Sequence, residues 1–173
     1  PTASPSPPPG AAAAATTTFN LGTGIALLME RDRFSQAKRS ATPDRLSNGR
    51  VVIGCGVGWN QEEFENATDL PFNRRYLALK ETVLAQRALL TDAEPQFHGE
   101  LIDFEPVWFE PKAIRPGGPP VTLGAMGPLG IKHAAQWADG WMPVDVAMRD
   151  IGQEIKNFRQ MVRDNGRDPD AVE

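Results

Sequence analysis

Only one cysteine, Cys55, occurs in the 173 residues. It rules out an intrachain disulfide framework and suits a reducing compartment. The two histidines, His98 and His133, stand far apart in the chain and, with a single thiol, make no metal-ligand set. No Ser-His-Asp arrangement suggests itself either. Basic blocks are absent: 18 Lys and Arg against 22 Asp and Glu leave a net charge of −4, so neither nucleic acid nor an anionic membrane surface is expected as a partner. No apolar run approaches the roughly 20 residues that span a bilayer. The N-terminus lacks the charged-then-apolar order of a secretory signal, and cytoplasmic residence is the default expectation.

What is present is 40% hydrophobic content, enough for one domain with a core. Residues 1–10 (PTASPSPPPG) are half proline with no large apolar side chain, and predict a disordered or polyproline tail. Residues 11–18 read as the last turns of a helix. From Phe19 the pattern alternates strand and helix. A buried strand is predicted over 21–29, a helix over 33–46 with Pro43 kinking it or marking its last turn, a turn at Ser47-Asn48-Gly49, and a second buried strand over 50–58. A polar segment, 60–72, leads to a long helix over about 73–90, with Tyr76, Leu79, Val83 and Leu90 as its buried stripe. Residues 96–107 alternate apolar with polar around His98-Gly99 and predict a hairpin, and 115–120 a loop. Then follow a strand (121–124), a helix (128–138), a short strand (140–144) and an amphipathic helix (about 148–165) stopped by Gly166. Alternation of this kind means parallel β/α units. Four such strands are about half of an eightfold barrel, which takes roughly 250 residues, so the chain reads as a fragment.

Three glycine-bearing strand ends stand out: Gly22-Thr23-Gly24-Ile25, Gly54-Cys55-Gly56-Val57-Gly58-Trp59-Asn60 and Gly124-Ala125-Met126-Gly127-Pro128. Glycines at the C-terminal ends of barrel strands let a planar ring approach the backbone, and equally ease turns and strand packing. The third end opens a helix with proline in its first turn, where backbone N–H groups favour an anion.

Together with their surroundings, LGTGIALLMERD, ATPDRLSNGRVVIGCGVGWNQEEF and FHGELIDFEPVWFEPKAIRPGGPPVTLGAMGPLGIKHAAQWADGWMP, these ends resemble the luciferase-like monooxygenase superfamily, and within it the deazaflavin branch that uses coenzyme F420. The resemblance runs from about Ala11 to Glu173. It implies an α/β fold, an incomplete (β/α)8 TIM barrel whose four strands match the third to sixth, with a hairpin insertion. It further implies that Thr23, Gly24 and Ile25 bulge beneath the cofactor's central ring through a non-proline cis bond at Gly24–Ile25. By the same comparison Gly56, Val57, Gly58 and Asn60 approach the ring, and Gly124, Ala125, Met126 and Gly127 take the ribityl chain and phosphate. Ala125 and Met126 depart from the glycine and small polar residue common there. Trp59 and Trp141 are candidate walls for a small-molecule substrate.

The implied activity is hydride transfer between a small organic substrate and the deazaflavin. An FMN-dependent monooxygenase of the same fold is the alternative. A third reading is a non-catalytic fragment that covers its open sheet edges by pairing as a homodimer. No catalytic side chain is assigned. Cys55 reads as packing, and Asp44, Arg45 and Arg50 as braces of a helix-to-strand turn. His98 sits in an insertion that in relatives helps roof the substrate pocket, His133 reads as surface or packing, and Glu62, Glu63 and Glu65 as a solvated acidic face.

Overall fold

A computed structural model of the chain describes residues 7–144 and 150–173. Among these described residues six α-helices and six strands follow one another in the order α1 (Pro7–Ala15), β1 (Leu21–Gly22), α2 (Arg33–Leu46), β2 (Val51–Cys55), α3 (Gln61–Ala67), α4 (Arg75–Thr91), β3 (Phe97–His98), β4 (Asp103–Phe104), β5 (Val121–Gly124), α5 (Pro128–Trp137), β6 (Gly140–Met142) and α6 (Ile151–Asp164). Strands β1, β2, β5 and β6 form one sheet in that order, every pair parallel. Their C-terminal ends therefore leave the sheet on one side. Beyond β6, the Glu173 N–H donates to the Asp139 carbonyl and its carbonyl accepts from the Trp141 N–H, at 2.9 and 2.8 Å. The end of the chain thus lies along that edge.

Alternation along the strands divides the sheet into two faces. Val51, Ile53, Cys55, Val121, Leu123, Ala125 and Trp141 enter the main core, which α4, α5 and α6 cover with Leu79, Val83, Ala134 and Phe158. A second cluster joins α2, α4 and the β3–β4 hairpin through Ala37, Ala41, Leu89, Ile102 and Phe104. The other face carries Val52, Gly54, Thr122, Gly124 and Met142. Gly54 and Gly124 keep that face low at the ends of β2 and β5.

Several boundaries differ from the sequence expectation. Helix α1 begins at Pro7, inside the stretch expected to be a tail, because proline in a first turn gives up an N–H that has no helical partner anyway. The strand predicted over 21–29 is interrupted. Its ladder stops at Gly22, residues 23–25 loop out, Ala26 rejoins Cys55 as a single bridge, and a 3-10 turn follows over Leu28–Glu30. An apolar run marks burial but does not distinguish a strand from a bulge. Helix α2 keeps its expected bounds with Pro43 in its last turn, whereas α3 emerges from the segment read as merely polar. Its cap is Asn60, whose side-chain oxygen accepts from the Glu62 and Glu63 amides at 3.0 and 3.3 Å.

On α4, Leu79, Val83 and Leu90 are buried as expected, but Tyr76 is only half-buried and the covered face is wider, taking in Ala78, Glu81, Thr82, Ala85, Gln86 and Leu89. The hairpin turns over residues 99–102 rather than at His98-Gly99. The Glu81 carboxylate draws in the amides of Glu100, Leu101 and Ile102 at 2.8–2.9 Å and sets that turn. The hairpin packs on the helical layer, with Phe104 edge-on to Phe34 of α2. His98 is exposed there and paired with Asp103. Helix α6 begins at Ile151 under an Asp150 cap; Met148, its expected start, lies outside the described residues.

Candidate functional site

The parallel ladder brings the exits of β1, β2 and β5 side by side, and glycines decide what happens there. The bond between Gly24 and Ile25 is cis, as the sequence comparison implied. Thr23 tucks its carbonyl against the Cα of Gly54, where any side chain would collide with it, and its hydroxyl donates to the Gly54 carbonyl at 2.7 Å. The Ala26 N–H then returns to that same carbonyl at 2.8 Å, and the Gly56 N–H donates to the Ala26 carbonyl at 3.2 Å.

Ile25, displaced from the ladder, lays its side chain across the neighbouring strands. A Cβ on Gly56 would run into Ile25 Cδ1, and one on Gly124 would stand 2.9 Å from Ile25 Cγ2. Met142, at the end of β6, reaches the same surface: its Cε would be 3.1 Å from a Cβ on Gly54, and its Sδ 4.0 Å from one on Gly24. Two apolar side chains, Ile25 and Met142, therefore rest in sockets made by Gly24, Gly54, Gly56 and Gly124. Together they form a low shelf that crosses all four strand exits, with Ile25 40% and Met142 36% exposed.

The other candidates fall around this shelf or behind it. Gly58 has φ +75°, a left-handed turn that favours glycine, and faces Leu27, Glu30 and Phe64 below the rim. Val57 is half-buried against the main core. Asn60 spends its side-chain oxygen on capping α3, which also accounts for Glu62, Glu63 and Glu65 as solvent-facing residues. Trp59 is 88% exposed at the rim. Ala125 turns inward under α5, against Gly130.

Trp141 is the clearest change of role. It is buried rather than facing the barrel mouth, its indole N–H donates to the Ala125 carbonyl at 2.9 Å, and its ring packs on Phe158 of α6. It braces the β5 exit from behind. Cys55 is fully buried, and burial pushes its thiol up to about 12. Arg50 donates to Ser47, Thr16 and Phe19, and Asp44 accepts from the Ile114 amide, so the DRLSNGR segment is a brace as read.

Gly127 opens α5 with nothing within 4 Å of where its side chain would stand. The sequence reading missed what stands opposite. The Tyr76 hydroxyl at the start of α4 would lie 3.1 Å from a Cβ on Gly130, in the first turn of α5. Tyr76 stacks on His133 with ring centroids 4.8 Å apart. Burial, then the charges of Lys80 and Lys132, lower the pKa of His133 and favour a neutral ring in the stack. Arg75 lies over Phe72 at 4.1 Å. A helix N-terminus with a hydroxyl beside its first turn suits a phosphate better than a cation. Tyr76 is the chain's only tyrosine, which was the one available signal.

A family model, the luciferase-like monooxygenases, matches residues 2–173. The chain belongs to that family. An uncharacterized protein of Mycobacterium tuberculosis is 40% identical over 86% of this chain and 52% of its own length. Among solved structures, an F420-dependent secondary alcohol dehydrogenase in complex with an F420-acetone adduct is 26% identical, with a TM-score of 0.75 over 95% of this chain and 50% of that one. A riboflavin lyase with modified FMN and riboflavin, 15% identical, shares the fold, with a TM-score of 0.81 over 100% of this chain and 44% of its own. The chain spans about half the length of the relatives it matches, and its four-stranded parallel sheet is the corresponding part of a luciferase-like barrel. Among the described residues no helix is long and apolar enough to cross a membrane, and no group of three or more His, Cys, Asp or Glu could hold a metal ion.

Proposed function

We propose that this luciferase-like chain forms the cofactor-holding part of an oxidoreductase that moves hydride between a small organic substrate and the deazaflavin coenzyme F420. The observation that carries the reading is the shelf: Ile25 and Met142 lie flat in glycine sockets, so a planar tricyclic ring meets an apolar surface with no intervening side chain. The residues fit such a group at both ends. Ile25 supports one face of the ring, Gly56 and Gly124 keep the floor low, and the open turn at Gly127 offers backbone N–H groups to a phosphate, with Tyr76 beside them. When bound, the deazaflavin supplies a carbon that accepts or releases hydride, while the protein positions it and excludes water. Thr23 contributes indirectly, because its hydroxyl is committed to the Gly54 carbonyl and fixes the loop that carries Ile25. In the complete enzyme a small-molecule substrate would approach the exposed side of the ring.

The same shelf would accept the ring of FMN, which is the alternative cofactor, so the test is a paired titration. Full-length protein is titrated with F420 and with FMN, following cofactor fluorescence. Binding of F420 at least tenfold tighter than FMN supports the proposal. Tighter FMN binding moves the protein to the flavin monooxygenases, and binding of neither overturns the cofactor site.

A further inference from the structure

Apart from the shelf, a groove of about 430 Å³ opens between the start of α2, the loop that joins α3 to α4, and the turn of the β3–β4 hairpin. Ile25 and Met142 are not among its walls. Its frame is fixed by hydrogen bonds, each of which uses up a polar group. Asp32 caps α2 by accepting from the Ser35 amide at 2.8 Å, and the Arg33 guanidinium donates to the Asp103 carbonyl of the hairpin at 2.9 Å. The Thr68 hydroxyl accepts from the Leu70 amide at 3.2 Å. Glu81 holds the hairpin turn through the amides of Glu100, Leu101 and Ile102. Met29 and Ile102, both buried, line the groove with Leu70 and Leu101, both half-buried, and make part of its wall apolar.

Four polar side chains on the same groove are left over. Glu30, Arg31, Asp69 and the hydroxyl of Thr82 take no hydrogen bond or ion pair among the described residues. Thr82 is 5% exposed and lines the groove from the middle of α4, so its hydroxyl is a buried polar group whose partner must come from that side. Glu30 is half-buried. Burial, then the neighbouring Glu63, raise its pKa, with Arg31 opposing, so Glu30 feels the guanidinium without being bonded to it. A carboxylate and a guanidinium facing one space attract each other and commonly pair. Here they stay apart, and charges of both signs are turned to the groove. A ligand that is only an anion would meet Arg31 but oppose Glu30 and Asp69, and one that is only a cation would meet the carboxylates but oppose Arg31. A molecule that carries an ammonium and a carboxylate on one apolar body answers all of them.

We propose that this groove binds a small zwitterion of the aliphatic α-amino acid class, with Arg31 taking its carboxylate, Glu30 and Asp69 its ammonium, and Leu70, Leu101 and Ile102 its side chain. Each charged group of such a ligand gains a partner as it gives up water, which is the condition for burying it. The Thr82 hydroxyl supplies a further hydrogen bond to either end. Small-molecule pockets range over about 300–1,000 Å³, and the groove falls within that span. The site is separate from the cofactor shelf, and the inference does not depend on the oxidoreductase reading.

The test uses molecules that share one branched carbon skeleton: L-leucine, isopentylamine, which lacks the carboxylate, and 4-methylpentanoate, which lacks the ammonium. Glycine serves as the zwitterion without a side chain. Titrated calorimetrically into the full-length protein at pH 7, leucine should bind tenfold or more tighter than each of the other three. Arg31→Gln should weaken leucine tenfold or more and leave isopentylamine unchanged or tighter. Asp69→Asn, at an exposed position where folding is not at stake, should weaken leucine and isopentylamine and spare 4-methylpentanoate. Both variants should keep the parent's Tm and its affinity for F420 or FMN, since neither touches the shelf. The proposal is overturned if leucine fails to bind, if it binds no tighter than its singly charged analogues, or if its binding survives both substitutions. Leucine that is displaced by F420 or FMN lies at the shelf instead, and that result overturns the proposal as well.

Discussion

Gly54 and Gly56 are two residues apart on the same face of the sheet, yet the structure predicts opposite consequences for adding one methyl group to each. At Gly54 the new Cβ would meet the Thr23 carbonyl oxygen, a backbone atom fixed by the Ala26–Gly54 hydrogen bond and by the Thr23 hydroxyl on the Gly54 carbonyl. No rotamer relieves that collision, so the 23–25 loop must move as a whole. Overpacking a well-filled interior costs about 1–3 kcal/mol, and a backbone obstacle puts Gly54→Ala at the top of that range, about 3 kcal/mol. For a domain of this size that is a fall of roughly 6–12 °C in Tm. At Gly56 the obstacle is Ile25 Cδ1, the end of a flexible, partly exposed side chain that can swing away. Gly56→Ala should cost about 1 kcal/mol or less, a shift of roughly 2–4 °C. Its effect should appear in function instead, because an Ile25 forced upward rises into the ring's place and weakens cofactor binding tenfold or more. Urea denaturation of both variants alongside cofactor titration of Gly56→Ala decides the matter. Equal losses of stability, or a Gly54→Ala protein as stable as the parent, would refute the socket geometry.

Other expectations follow from single contacts. Burial pushes the Glu81 carboxyl up, but the three hairpin amides and Arg74 more than offset it, leaving the pKa below its ordinary 4.5. The stabilisation is therefore complete above pH 4.5 and lost as pH falls through the lower folded value. Glu81→Gln should cost about 2–4 kcal/mol at pH 7, since charged hydrogen bonds are worth about 1.5–3 kcal/mol each, and its deficit should shrink in acid; a deficit constant down to pH 3 would contradict this. Cys55, fully buried with its thiol raised to about 12, should resist alkylation at pH 8 and react only at the rate of unfolding, read by mass spectrometry with and without denaturant. Arg50 ties the segment after α1 to the turn before β2 through Thr16, Phe19 and Ser47. Arg50→Ala should expose residues 16–20 to limited proteolysis while the sheet stays folded; an unchanged cleavage pattern would show that α1 is held by packing alone.

Sequence by itself was enough for the β/α alternation, the near-complete bounds of α2, β5 and α5, and the three glycine-bearing exits. These are written in local patterns: apolar runs of strand length, helical spacing, and proline and glycine at element ends. The strand order was not local, and neither was the packing that decided the site. Residues 21–29 read as one strand because their apolar character is continuous; only the neighbouring Gly54 and Gly56, more than 25 positions away, permit Ile25 to leave the ladder and lie down. Asn60 and Trp141 carried the right chemistry for a pocket, but one was claimed by the amides of α3 and the other by Ala125 and Phe158. Met142 drew no notice, and Tyr76 read only as part of a helix's buried stripe, since nothing beside them in the chain marks a site; strand register brought the first to the shelf, and the packing of α4 on α5 brought the second to a helix start. Burial and periodicity are properties of a segment, whereas a shelf belongs to several segments at once, and only their tertiary arrangement determines which side chains meet there.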